Sequence, residues 1–256
     1  PDSEQASNVW QAVEIARPKK FYMKKADSEH SHVGGLASRL TVLKEGDLEN
    51  TDTSGFFKDA EIFTYYEDKE VLIFKLMEQA LKLSPISDSL NLTNRNVATS
   101  RMADLLGAGD VIARSETVEM VEPGKATGRV GNLMQKAEGK AAAAIAERYK
   151  NKTASSDSGD ISQKITGNLQ RQLVNLQVLD YITGQIDRHT NNYFIQEDES
   201  TGMLTGVTGI DNDFSFGDAF QLKNIIGQNG ISIINDDGTF HIPHMEEAMA
   251  DRILSV

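Results

Sequence analysis

Asp187-Arg188-His189-Thr190-Asn191-Asn192 and, further on, Gly209-Ile210-Asp211-Asn212-Asp213-Phe214 gather acidic and amide side chains into two short stretches. Carboxylate and carboxamide oxygens are the ligands a hard divalent cation takes, and an Asp beside such a site can handle a proton. A cation site with a proton acceptor is the equipment of phosphoryl transfer from Mg-ATP, a chemistry of positioning and charge neutralisation. The chain between the stretches predicts how they meet. Tyr193-Phe194-Ile195 is a run of strand formers, Glu197 to Gly202 (EDESTG) is a turn by composition, and Met203 to Ile210 returns as a strand. An antiparallel hairpin brings its outer ends together, so Asn192 and Asp211 are expected side by side, with Asp187 just upstream.

A helix is expected to deliver this loop. From Leu169 onward, Leu173, Leu176, Leu179 and Ile182 recur at helical spacing, and Gly184 ends the helix shortly before Asp187. The competing structural reading makes Asp187 and Arg188 a surface ion pair and Asp211-Asn212-Asp213 an ordinary Asx-rich turn.

DRHTNN followed by IDNDFSFG resembles the catalytic and metal-binding loops of the atypical kinases: the phosphoinositide 3/4-kinases, actin-fragmin kinase and the HipA-like bacterial kinases. Those families carry D-R-H-x-x-N in place of the H-R-D-x-x-x-x-N of ordinary protein kinases, and often I-D-x-G in the metal loop. The resemblance implies an α+β, bilobal protein-kinase-like fold with an antiparallel-sheet N-lobe and a mainly helical C-lobe. It implies Asp187 as catalytic residue and Asn192 and Asp211 as metal ligands. Asp213 stands where several relatives have Gly and is a further candidate ligand; Asp211 is favoured because it follows the strand residue Ile210. His189 is expected to pack and hydrogen-bond within the loop, and Arg188 to brace it. The implied cofactors are ATP and Mg²⁺.

The N-terminal half is then searched for the rest of a nucleotide site. His32 to Ser38 (HVGGLAS) is a glycine turn between the strand Phe21-Tyr22-Met23 and the strand Arg39 to Leu43. Glycine lets backbone amides approach an anion closely, so Gly34 and Gly35, with Ser38, are candidates for covering the phosphates. A strand Lys at this place in the resembled families meets the α- and β-phosphates. Lys58, at the end of Gly55-Phe56-Phe57-Lys58, is the candidate, with Lys44 and Lys75 as rivals. Kinases hold such a Lys with a helix acid. The helix expected over Glu70 to Lys82 carries Glu70 and Glu78, that over Asn94 to Leu106 carries Asp104, and the partner is left open. Strands are expected at Asp110–Ala113, Glu116–Val121 and Arg129–Lys136. The last resembles the approach to a hinge, which makes Met134 and Lys136 candidates beside adenine.

Beyond it, Lys140 to Tyr149 reads as helix, Asn151 to Gly167 as a polar loop, Ile231 to Ile234 as a strand and His244 to Leu254 as a closing helix. A short helix is also expected within residues 1–16. Lobes over 1–135 and 136–256 follow from this order. Pro1 in place of Met is expected to mean a missing N-terminus, and the small C-terminal region points to a minimal kinase or one cut from a longer protein.

Composition narrows the function. A net charge of −12, from 38 acidic against 26 basic residues, argues against nucleic acid and against stable binding to anionic membranes. The basic run Arg17 to Lys25 reads as a Lys-rich strand edge. No stretch is long and apolar enough to span a membrane, and the absence of cysteine fits a reducing, cytoplasmic setting; the resemblance further implies a bacterial protein delivered into a host cell. The expected activity is phosphorylation of protein Ser/Thr hydroxyls. A phosphoinositide kinase, an AMP-transferring kinase-like enzyme and a non-catalytic pseudokinase scaffold are the alternatives. Oligomeric state leaves no mark in the sequence.

Overall fold

The computed structural model describes residues 18–33, 39–59, 92–153, 161–185, 187–216 and 247–255. Expectations for the helices within 1–16 and 70–82, for Lys75, for the strand 231–234 and for the turn bearing Gly34, Gly35 and Ser38 lie outside these residues. Within them the chain is mixed α+β, with nine strands in two sheets and four α-helices.

The larger sheet is formed by β1 (Lys19–Tyr22), β2 (His32–Val33), β3 (Leu40–Leu43), β4 (Gly55–Asp59), β5 (Ser115–Val121) and β6 (Arg129–Met134). Their order is β1-β5-β6-β4-β3-β2. Between β4 and β5 the chain forms helix α1 (Leu92–Leu105). All neighbours pair antiparallel except β1 with β5, which run parallel, Phe21 opposite Met120. The expected antiparallel sheet is therefore mixed. A strand's own residues do not state its partner, and a parallel neighbour needs only a long crossover, which here passes through β2–β4 and α1. One face of this sheet buries Phe21, Leu43, Phe57, Val118, Met120 and Leu133.

The smaller sheet is antiparallel, β7 (Lys140–Ala141), β8 (Tyr193–Glu197) and β9 (Leu204–Gly209) in that order. Helix α2 (Ala142–Thr153) follows β7, helix α3 (Gly167–Thr183) precedes β8, and α4 (Glu247–Ser255) comes last. Leu169, Leu176 and Leu179 of α3 join Ile195, Leu204 and Val207 in a second core, which also takes in Ala103, Leu106, Val111 and Ile112.

Three local expectations are corrected. Asp110–Ala113 is not a strand: Gly109–Val111 is a single 3₁₀ turn, and only Ile112 bridges to Gly209. Its apolar run is buried as a plug in the second core, and a short apolar run does not by itself separate strand from turn. Lys140–Ala141 belongs to a strand because Ala141 registers with Phe194, a tertiary pairing that overrides helix propensity for two residues. The expected loop 151–167 is shorter, since α2 runs to Thr153 and a 3₁₀ turn covers Ile161–Lys164.

Candidate functional site

Side chains alternate across a strand, so with Phe57 fully buried in the first core, Lys58 faces the opposite side of the sheet. Register puts Lys58 beside Asn132 and Phe56 beside Met134 on that side. Lys58 is 6% exposed, not a snorkelling surface residue. A buried ammonium demands anionic partners. It finds two: Nζ donates to Asp211 Oδ1 at 2.8 Å and to Asp213 Oδ2 at 2.6 Å, 153 and 155 residues downstream. Burial pulls the Lys58 ammonium down, and the two carboxylates outweigh it, so the net shift is upward.

The acidic partners are delivered by the hairpin. Tyr193 registers with Gly209, and Ile210 N–H donates to the Asn192 carbonyl at 2.9 Å, so the outer ends meet as expected. Asp211 follows with φ 53° and ψ 56°, a left-handed conformation that Asp tolerates better than most residues. A 3₁₀ turn, Asn212–Phe214, then buries Asp213. One lysine serves two carboxylates, and their protons divide accordingly. Lys58 holds Asp211 below the usual range against the partial desolvation of its site. Burial pushes Asp213 up to about 6, with Lys58 opposing and Asp211 adding to the rise.

Asp187 and Asn192 sit on the adjoining loop. Asn192 Nδ2 donates to the Asp187 carbonyl at 2.8 Å and to its Oδ2 at 3.3 Å. Gln185, itself buried, ties this loop to the metal-loop candidates: its Nε2 donates to the Asp211 carbonyl at 3.2 Å and its Oε1 accepts from Asp187 N–H at 3.0 Å. Burial raises the Asp187 carboxyl above its ordinary range; His189 opposes this and the Asp211 charge reinforces it. Gln185, bonded to both, puts residues 187 and 211 in one neighbourhood.

Arg188 is buried and does not pair with Asp187 at the surface. It forks onto Asp180 of α3, and its Nη1 donates to the carbonyls of Asn192 and Ile210, each at 2.7 Å. Nη2 also reaches Asn212 Oδ1. One guanidinium thus joins the helix, the catalytic-loop candidate, the hairpin and the metal-loop candidate. The bracing expected of Arg188 is present. Its partner Asp180 was not singled out, although a signal existed: Asp180 lies four residues after Leu176, on the apolar stripe of α3, where a charge needs a partner.

Helix α1 contributes through residues other than the Asp104 weighed in its sequence, which pairs with Arg114. Its buried polar residues face the metal-loop candidate: Asn96 Oδ1 accepts from Asn212 N–H at 3.2 Å, and Arg95 Nη1 donates to the Ser215 carbonyl at 2.9 Å. Asn96 Nδ2 reaches Met134 Sδ at 3.5 Å, which places Met134 on the same side of the sheet as Lys58. Lys136 is exposed two residues past β6, and Lys44 is exposed in a turn away from the acidic group. Gly34, Gly35 and Ser38 lie outside the described residues, though β2 and β3, which flank them, pair antiparallel.

The donor set suits a hard cation. Asp211 keeps 45% of its side-chain surface open, and Asn192 has its amide nitrogen committed to Asp187, which leaves its oxygen for a ligand. Asp213 Oδ1 is buried without a hydrogen-bond partner. No cluster of three or more His, Cys, Asp or Glu able to hold an ion occurs among the described residues, so a cation here relies on the Asn and on phosphate oxygens as well. No helix among the described residues is long and apolar enough to cross a membrane. No protein-family model and no curated protein matches the chain.

Proposed function

We propose that the chain is an ATP- and Mg²⁺-dependent phosphotransferase of bilobal protein-kinase-like fold, with lobes over residues 1–135 and 136–256, acting on Ser/Thr hydroxyls of proteins. The observation that carries it is the meeting of the Lys58 ammonium with Asp211 and Asp213 beside the Asp187–Asn192 loop. Five side chains singled out in the sequence for three roles, proton handling, metal binding and phosphate binding, converge across more than half the chain length. A surface ion pair with an unrelated Asx turn gives no reason for that convergence.

In this function Asp187 orients the acceptor hydroxyl and takes its proton as the hydroxyl oxygen bonds to the γ-phosphorus and ADP leaves. Its burial makes it the stronger base. Asn192 and Asp211 would hold Mg²⁺, which would supply charge neutralisation for the nucleotide phosphates. Lys58 meets the phosphates from the sheet side, and Met134 and Lys136 lie along the adenine side. The net charge of −12 favours a protein over a phosphoinositide acceptor at an anionic membrane.

The test is incubation of the purified chain with γ-labelled ATP, Mg²⁺ and a cell lysate, beside Asp187→Asn and Asp211→Asn. Label is expected in protein and is expected to fall by about 10²–10⁴-fold in the Asp187 variant. Label entering from α-labelled ATP instead identifies AMP transfer. Nucleotide-dependent thermal stabilisation without turnover identifies a scaffold.

A further inference from the structure

Lys58 reaches two carboxylates, and they differ in every respect that separates an anchor from a ligand. Asp213 keeps 4% of its side-chain surface and Asp211 45%. The shorter contact, 2.6 Å, goes to Asp213. Asp213 sits in a 3₁₀ turn whose flanks are pinned by α1, through Asn96 to Asn212 N–H and Arg95 to the Ser215 carbonyl. Asp211 stands one step outside that turn, at the end of the hairpin.

A phosphate-binding Lys must be held by an acid that stays with the protein when nucleotide and metal come and go. Kinases take this acid from a helix. Here α1, the described helix packed against both the sheet and the turn, offers Asn96 at the position facing Asn212, and Asn96 spends its amide on backbone and on Met134. The acid of α1 is Asp104, exposed and paired with Arg114 at 3.0 Å. Among the described residues, no helix acid meets Lys58.

We infer that Asp213 is the positioning residue of Lys58, taking the role of the helix acid, and that Asp211 is the carboxylate that serves the metal. The inference rests on the phosphotransferase reading for the metal and on geometry alone for the anchor. It gives the Asp two residues after Asp211 a function distinct from a second metal ligand. It also ties the phosphate-binding Lys to the metal-loop turn directly, so that sheet and hairpin are fastened together by one buried contact. The unpartnered Oδ1 of Asp213 is enclosed, whereas Asp211 faces outward.

Two measurements on the full chain test this. In the first, without nucleotide or metal, Lys58 acetylation by acetic anhydride is followed by mass spectrometry. Asp213→Asn is expected to speed labelling of Lys58 severalfold, and Asp211→Asn much less. Equal effects, or a larger one in Asp211→Asn, overturn the assignment. In the second, Asp213→Asn is expected to raise KM for ATP with the Mg²⁺ concentration for half-maximal rate unchanged, and Asp211→Asn to raise the Mg²⁺ requirement. A raised Mg²⁺ requirement in both makes Asp213 a metal ligand and overturns it. Asp213→Glu, which keeps the charge, is expected to recover part of the KM and serves if the Asn variant fails to fold; a Mg²⁺ shift in it counts against the inference. If the native chain neither turns over ATP nor is stabilised by Mg-ATP, the phosphotransferase reading fails, while the acetylation result still decides the anchor.

Discussion

Arg188 and Asp180 face each other in a buried two-point contact, Nε to Oδ2 at 2.9 Å and Nη2 to Oδ1 at 2.8 Å. The pair links the last turn of α3 to the loop that follows Gly184, whose φ of 65° lets the helix end sharply. Because the same guanidinium also holds the carbonyls of Asn192 and Ile210, the ends of the hairpin inherit their position from α3. A packed helix is a rigid reference, and chemistry that depends on sub-ångström placement needs one.

Removing one partner of this pair leaves the other charge buried. Asp180→Ala is expected to cost about 3–5 kcal/mol in urea denaturation. Arg188→Lys keeps the charge but loses the fork, so it is expected to lower the proposed phosphotransfer even where the fold survives. A stability change for Asp180→Ala within the noise of a surface substitution contradicts the bracing role.

Gly131 lies opposite Asp59 in the β4–β6 ladder, and a Cβ there would stand 2.4 Å from the Lys58 carbonyl oxygen and 2.6 Å from the Phe57 ring. Backbone cannot yield cheaply. Gly131→Ala is expected to destabilise by about 1–3 kcal/mol and to shift Lys58. Thermal unfolding reads the first effect, and the rate of Lys58 acetylation by acetic anhydride the second. An unchanged melting temperature counts against the close packing of these two strands.

Asn96→Ala removes the acceptor for a buried Asn212 N–H, a loss of about 1–3 kcal/mol. The change is expected to loosen the turn that carries Asp213. Hydrogen exchange at the amide of Asn212 should rise well before global unfolding does. Exchange that stays coupled to global unfolding shows that α1 is not what fixes the turn.

Asp198 opens the hairpin turn, accepting hydrogen bonds from the backbone and hydroxyls of Ser200 and Thr201. These bonds, the Ser200 hydroxyl first, pull its carboxyl from 3.8 down to about 2. A depressed carboxyl stabilises the fold above its unfolded value and loses that contribution as pH falls through the folded one. The stability gap between the native chain and Asp198→Ala is therefore expected to be level from neutral pH down to about 4, then to narrow towards about 2. A gap that widens on acidification reverses the sign and refutes the capping role.

Much of this protein is written locally. The apolar strand ending in Lys58, the leucine spacing of α3, the stop at Gly184 and the turn EDESTG each depend on neighbours a few residues away, and each is legible without coordinates. Asp187, Asn192 and Asp211 could likewise be named from type and spacing, and Lys58 through the resemblance to the atypical kinases. What the chain could not announce is pairing between distant segments. The parallel neighbour β5 for β1, the strand made of Lys140–Ala141 and the fork between Arg188 and Asp180 all join surfaces that become adjacent only on folding. The division of labour between Asp211 and Asp213 is of this kind. Their residue type is the same, and only burial, set by α1 packing on one turn, makes them different. Local sequence determines which groups are present and in what backbone form; the tertiary structure decides which of them lose water, and with it which charges must find each other.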